Sequence, residues 1–297
     1  MTSRGRIVLV ILIAGVYAVC YSAIKAGLAY APPLGYAGLR ALLAGAALLA
    51  YQAARRRPLL PRQALWWTVV VIALVGTTLG FGAMFLSPGR TGAGIASVLG
   101  NTEPLLIVAV AAMFLHEPLT RAKVTALVLA FAGVSLIAYP GLAGPKAYGL
   151  AGLLLPLGAA AGAAAESVIV KRADVRNDVL LVAAWQLLLG SAPLLGVSLW
   201  FERAHPVVWS PVFVGLLLFL ALAGTAFTTA LWYWLIQQDD VGRLSLMLFL
   251  APVFGLWLAA ALFGERIGRV EVAGVVLAVA GTAVVAWEAA RAPSRAA

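Results

Sequence analysis

Four ionisable side chains, Lys25, Arg40, Glu103 and Glu166, lie inside stretches of sequence that are otherwise apolar. A charge at the centre of a bilayer costs about 2.5–3.5 kcal/mol on insertion scales, so each needs a partner or a task. A solute carrying both an amine and a carboxylate would use such groups. The structural alternative is a Lys25–Glu166 ion pair, or Lys25 and Arg40 snorkelling to the headgroups. Tyr17, Tyr21 and Lys25 form an i, i+4, i+8 stripe, two phenol rings and an ammonium on one line, suited to stacking on an aromatic or cationic solute. Trp232-Tyr233-Trp234 reads as an interfacial aromatic belt, although Trp232 shares a face with Thr225, Thr228 and Thr229 and remains a candidate for the inside. Trp185-Gln186 reads as ordinary helix packing.

Bond-making chemistry has no comparable support. The two histidines, His116 and His205, fall in separate turns, and there is no zinc-protease motif, phosphate-binding loop or nucleophile elbow. The single cysteine, Cys20, excludes a disulfide framework or a thiolate metal site. No catalytic residue, metal site or cofactor is expected. Hydrophobic residues make up 63 % of the 297 positions and charged residues 11 %, a balance that no soluble domain tolerates. The net charge of +10 is scattered through short turns, so membrane orientation explains it better than nucleic acid.

The elements that must position these groups are apolar runs near 7–28, 34–54, 64–86, 91–115, 121–140, 148–171, 179–200, 211–237, 241–263 and 269–290, each long enough for a crossing helix. The first is read as a retained helix rather than a signal peptide. Residues 91–139 and 239–287 are two copies of one sequence at an offset of 148, identical at 14 of 49 positions without a gap. Gly76-Thr77 and Gly224-Thr225 extend the match to the third and eighth runs. Further back it needs a small shift, with Tyr21-Ser22 set against Glu166-Ser167. With the N-terminus cytoplasmic, fourteen Lys and Arg fall on the inner side and five on the outer, which places both termini inside. Five crossings per half is odd, so the halves, 1–143 and 144–297, must be inverted relative to one another.

Proline inside a crossing helix removes a donor and frees a carbonyl, so Pro104 and Pro252, equivalent at the same offset, mark paired helix breaks near the midplane. Gly94, Ser97, Asn101 and Pro104 share one helical face, repeated by Gly242, Ser245, Phe249 and Pro252. Asn101 offers a donor and an acceptor where Phe249 offers a ring. Glu103 lies about 200° round from Asn101, so both cannot face one cavity unless the break intervenes. Glu117–Arg121 and Glu265–Arg269 read as local ion pairs fixing the hairpins. Gly76/Gly80 and Gly158/Gly162 are small-residue pairs that let helices approach.

The sequence Pro104…Phe114-Leu115-His116-Glu117-Pro118-Leu119-Thr120 with Gly133, and its counterpart Pro252…Leu262-Phe263-Gly264-Glu265-Arg266-Ile267 with Gly281, resembles the drug/metabolite transporter superfamily, specifically ten-helix exporters of the EamA type. Through Asn101-Thr102-Glu103-Pro104 the chain is most similar to bacterial exporters of aromatic amino acids, a family also associated with efflux of flat cationic toxicants. His116 and Pro118 depart from the usual residues beside that glutamate. The resemblance implies an all-α membrane protein of ten helices, a central cavity and alternating access.

The expectation is a multi-pass protein of the bacterial inner membrane that exports aromatic or apolar amino acids. Its cavity would involve Tyr17, Tyr21, Asn101, Glu103, Glu166, Trp232, Met247 and Phe249. A small-molecule solute and membrane lipid are its expected partners, nucleic acid is not, and the monomer is the simplest state. A cationic multidrug exporter of the same fold, with Glu103 or Glu166 as counter-charge, is the alternative.

Overall fold

A computed structural model describes residues 3–87, 90, 99–100, 102–142, 150–263 and 268–291. Among these residues all regular structure is helical. In chain order the helical runs are α1 (Ser3–Gly27), α2 (Pro33–Ala54), α3 (Gln63–Leu86), α4 (Glu103–Phe114), α5 (Arg121–Leu142), α6 (Leu150–Arg172), α7 (Val179–Phe201), α8 (Pro211–Gln238), α9 (241–263) and α10 (Arg269–Arg291). Of these, α1, α2, α3, α6, α7 and α8 are long and apolar enough to cross a bilayer, and Glu103–Phe114, Val241–Gly255 and Val272–Glu288 are shorter apolar helices. Large apolar side chains such as Leu79, Val128, Trp257 and Val276 stand exposed on the outside of the bundle, where lipid is the matching solvent.

The packing of α5 on α10 displays the relation between the halves. A Cβ on Gly133 would stand 2.5 Å from Gly274 O and Ala278 N, and one on Gly281 would stand 2.7 Å from Ala126 O and 2.9 Å from Ala130 N. Subtracting 148 from 274, 278 and 281 gives 126, 130 and 133, so each half presents to the other the same surface it receives, as at a two-fold axis. Climbing α5 from Ala126 to Gly133, the facing residue of α10 falls from Gly281 to Gly274. The two helices are therefore antiparallel, with glycine allowing their backbones to touch.

Both proline breaks lie at helix starts. In α4 the helix begins at Glu103, with Pro104 in its first turn, where a missing N–H costs nothing. In α9 a helix over Val241–Leu246 passes through a tight 3₁₀ turn at Met247–Phe249 before a second helix begins at Leu250, two residues ahead of Pro252. The expected kinks in mid-helix are thus interruptions that proline tolerates. Gly94, Ser97 and Asn101 lie outside the described residues, as do Glu265 and the segment 143–149 at the joint between the halves.

A second matched pair of irregularities lies in α3 and α8, which widen into π-helix over Ala73–Phe81 and Leu222–Phe227. In α8 the Thr225 hydroxyl donates to the Leu220 carbonyl five residues back, at 2.8 Å. π-Helical turns loosen the backbone ladder and tend to occur at functional sites. Here both contain the Gly-Thr pair repeated at 148.

At one end of the bundle Glu202, just past α7, accepts from the Leu34 and Gly35 amides at 3.1 and 3.0 Å and so caps the start of α2. Orphan amides at a helix start are satisfied by such an oxygen, and a carboxylate also complements the dipole. Glu202→Ala is expected to cost about 1 kcal/mol, read as a lower midpoint in thermal unfolding of detergent-solubilised protein. An unchanged midpoint would remove the cap from the account.

Candidate functional site: a cavity between the halves

A cavity of about 1020 Å³, counting its open mouth, lies in the bundle and draws its wall from α1, α2, α3, α6, α7, α8, α9, Gly100 and Glu103 at the start of α4. Binding sites for small solutes are concave, largely apolar and furnished with a few polar groups. This wall follows that pattern. Many of its residues are symmetry mates: Gly76 and Gly224, Phe81 and Thr229, Met84 and Trp232, and Gly100 and Leu248 all face it and are equivalent at the offset of 148. The cavity therefore sits on the axis relating the halves, while the unlike chemistry of each pair makes it asymmetric.

Of the residues singled out from the sequence, Tyr17, Glu103, Glu166 and Trp232 meet at this cavity. Tyr17 shares this wall with Glu103, Glu166 and Arg40. The Glu166 carboxylate accepts from the Tyr233 hydroxyl at 2.6 Å, and the Trp232 indole N–H donates to Ser167 Oγ at 3.0 Å. Both rings are therefore buried against α6 and do not serve as an interfacial belt. The exposed tryptophans near helix ends are Trp67, Trp200, Trp209 and Trp287, suited to that role.

Met247 and Phe249 stand elsewhere, buried in the apolar core while Leu248 between them faces the cavity. The 3₁₀ turn explains this placement, since it advances about 120° per residue and leaves one side chain of three on a given side. Tyr21 is on α1, and Asn101 lies outside the described residues. Glu103, the first residue of α4, lines the cavity.

Arg40 and Lys25 part company. Lys25 is exposed and makes no pair with Glu166, whose hydrogen bond comes from Tyr233. Arg40 does not snorkel: it is 4 % exposed, its Nε donates to Thr225 Oγ1 at 2.5 Å and its Nη2 to Gly224 O at 3.0 Å. Its guanidinium lies 4.9 Å from the Phe81 ring centre and 5.7 Å from that of Phe85, within cation–π range. Gln186 likewise lines the cavity and accepts from Thr77 Oγ1 at 2.5 Å. Arg40 and Gln186 are site residues that the sequence reading undervalued. The signal available was their position two helical turns inside α2 and α7, at matching places in the two halves.

Small residues make the cavity possible. The Glu166 carboxylate rests directly on Gly76, and a Cβ on Gly162 would stand 2.7 Å from Val75 O. Three of the four small-residue positions thus serve α3–α6 contact or the cavity wall, whereas Gly158 has open space beside it.

At one end of the bundle a polar cluster gathers around the α8–α9 joint. Glu117, in the turn after α4, accepts from the Val241 and Gly242 amides at 2.8 and 3.0 Å. Lys123 of α5 bridges to Asp240 at 2.7 Å and Glu117 at 3.6 Å. Lys171 of α6 donates to the Ile236 and Asp239 carbonyls at 2.6 and 2.8 Å, and Arg6 of α1 pairs with Asp239 at 3.2 Å. The expected Glu117–Arg121 hairpin pair is replaced by these contacts, because the exposed Arg121 points away while the start of α9 offers two amides.

A two-repeat membrane bundle with paired helix breaks and a cavity on the axis between its halves is the architecture of secondary transporters. The chain belongs to the EamA-like transporter family, whose pattern matches it twice, over residues 5–139 and 150–287. It is a transporter rather than an enzyme. An uncharacterized transporter, YvbV, of Bacillus subtilis (strain 168) is 30 % identical over 261 residues, covering 88 % of this chain and 85 % of that protein. A protein described as a probable amino-acid metabolite efflux pump in Salmonella typhimurium is 29 % identical over 291 residues, covering 94 % of each chain. One crystal structure, 23 % identical, superposes with a TM-score of 0.80 over 97 % of this chain and 98 % of the other, a likeness of fold.

Proposed function

We propose that the protein exports amino acids, aromatic or apolar ones above all, across the bacterial inner membrane by alternating access. Ten crossings would form two inverted five-helix repeats, 1–143 and 144–297, with both termini cytoplasmic and the monomer as the working unit. The observation that carries the reading is the cavity on the axis, walled by both halves and furnished with aromatic rings and charges. The antiparallel α5–α10 pair and the matched breaks in α4 and α9 support inversion. Relatives described as amino-acid metabolite efflux pumps support the substrate class.

In this reading Tyr17 and Trp232 stack on the solute, Glu103 and Glu166 provide negative charge, and Tyr21, Asn101, Met247 and Phe249 belong to the moving helices around them. The cluster joining Glu117, Lys123 and Asp240 closes the cytoplasmic end. Opening that end must break it.

Two carboxylates against one guanidinium on the wall favour a second reading, an exporter of flat cations. A single screen separates the two: uptake of the twenty radiolabelled amino acids and of a planar aromatic cation into proteoliposomes, with and without a pH gradient. Saturable uptake of phenylalanine, tyrosine or tryptophan is the expected result, and transport of the cation alone would overturn it. Tyr17→Ala and Trp232→Ala are each expected to lower amino-acid transport about tenfold, equivalent to 1.4 kcal/mol, with unchanged elution as folded protein. Unchanged rates would remove them from the site.

A further inference from the structure

Much of the polarity of the cavity comes from two pairs of equivalent positions at which the halves have diverged. Gly76 and Gly224 are equivalent; the Glu166 carboxylate rests on the first, and a Cβ on the second would stand 2.6 Å from Cys20 Sγ. Glu166 in α6 thus takes the place that Cys20 holds in α1. Thr77 and Thr225 are equivalent as well; Thr77 bonds Gln186 and Thr225 bonds Arg40, each at 2.5 Å. Arg40 in α2 thus takes the place of Gln186 in α7. At these two pairs each half carries one charge where the other has a neutral group, and the two charges have opposite sign; Glu103, equivalent to Ala251, adds a second carboxylate.

The charges also stand at different depths. At about 1.5 Å per residue, Arg40 is about 10 Å along α2 from its Pro33 end, and Glu166 is about 9 Å along α6 from its Arg172 end. These are opposite ends of the bundle, because α2 and α6 both run from the same end, that of the Pro33 turn, to the other. The cavity therefore presents a guanidinium toward one end and the Glu166 carboxylate toward the other, with Glu103, Tyr17 and Trp232 also on its wall. Thr225 and Gly224 fix the direction of the guanidinium, whose flat fork matches a carboxylate and stays charged at any working pH.

We propose that the site binds an α-amino acid as its zwitterion in one orientation, with the α-carboxylate toward Arg40 and the α-ammonium toward Glu166 and Glu103. This rests on the amino-acid export reading and narrows it: the site recognises the paired charges common to all amino acids, while the rings grade the side chain. A ligand lacking either charge leaves a buried partner uncompensated, the situation in which sites discriminate most strongly. Within the same cavity an aromatic amine and an aromatic acid are both poor ligands.

The test is counterflow of radiolabelled L-phenylalanine in proteoliposomes, competed by unlabelled L-phenylalanine, phenethylamine and 3-phenylpropionate. The wild-type protein is expected to be inhibited at least tenfold more weakly by either single-charge analogue than by phenylalanine. In Arg40→Gln the gap between phenylalanine and phenethylamine is expected to close to about twofold, with 3-phenylpropionate still excluded. A purely structural role for Arg40 would weaken all three in parallel, which would overturn the assignment. Equal inhibition of the wild type by all three compounds would also overturn it, while leaving amino-acid export standing and requiring no folded variant. Absence of any phenylalanine counterflow in the wild type would take down the export reading and this inference together.

Discussion

Gly133→Leu is expected to abolish the folded bundle. A Cβ at this position would stand 2.5 Å from backbone atoms of both Gly274 and Ala278, and backbone cannot turn aside as a flexible side chain can. The helices must separate, and since Gly281 meets α5 in the same way, the whole seam would open. Overpacking costs about 1–3 kcal/mol, so Gly133→Ala is expected to cost about 2 kcal/mol. The leucine variant should exceed about 4 kcal/mol, an exceptional loss that approaches the whole stability of a marginal domain. Gly158→Ala and Gly196→Ala are the controls, because nothing lies within 4 Å of a Cβ at either site. They should be neutral or stabilising by about 0.5–1 kcal/mol. Size-exclusion profiles recorded after graded heating would report all four, and equal midpoints for Gly133→Ala and Gly158→Ala would show that the seam is looser than described.

Lys123→Met is expected to have the second-largest effect, on conformation rather than folding. Lys123 is 3 % exposed and bridges Glu117 and Asp240, offsetting their mutual repulsion. Removing it leaves two partly buried carboxylates facing each other. Breaking a fully buried pair costs about 3–5 kcal/mol; with the Asp240 side chain 22 % exposed, a discounted value of about 2 kcal/mol is appropriate. That would raise the population open at this end about thirtyfold. Spin labels at Leu119→Cys and Asn177→Cys in a Cys20→Ser background would report it as a longer distance.

On the proposed alternating access, the same cluster is expected to make closure depend on pH. Burial, then the hydrogen bond and charge of Asp240, push Glu117 up to about 7 from 4.5, against the Val241 and Gly242 amides, which favour the carboxylate. Lys123 and Lys171 are the cations facing the pair. In the proposed cycle the closed end would bind a proton that the opened, solvated end releases. The contribution of Glu117 to closure is complete below pH 4.5 and is lost as pH rises through about 7. Asp240, held below its usual 3.8 despite burial by its bonds to Glu117 and Lys123, acts in the opposite sense only in stronger acid. The open fraction should therefore rise between about pH 5 and pH 8 in the wild type, and Glu117→Gln should flatten that rise. A parallel rise in the variant would place the titrating group elsewhere.

What the sequence made legible was set by what repeats in it. Gly133 and Gly281, Pro104 and Pro252, and the Gly-Thr pairs stand at one offset, and the bundle uses each pair equivalently. The earlier part of the duplication was harder to read because its register shifts: the packing against Gly76 and Gly224 equates Glu166 with Cys20, one place from the Tyr21 that sequence comparison suggests. Direction of burial was the other blind spot. Periodicity cannot tell whether Trp232 and Tyr233 face lipid or α6, nor that a 3₁₀ turn would turn Met247 and Phe249 away from the cavity and leave Leu248 on its wall. Arg40 was undervalued because a lone arginine near a helix end usually snorkels, whereas this one is tied to a π-helical turn that no local pattern announces.

A solute site at the seam of two repeats inverted across the membrane requires the hairpins after α4 and α9 to face opposite sides. Single cysteines at Leu119 and Gly268, in the Cys20→Ser background, would be exposed to a membrane-impermeant maleimide on intact spheroplasts and again after permeabilisation. Gly268→Cys is expected to react from outside at once, and Leu119→Cys only once the membrane is breached. Reaction of both from the same side would contradict inversion, and with it the alternating exposure of the cavity.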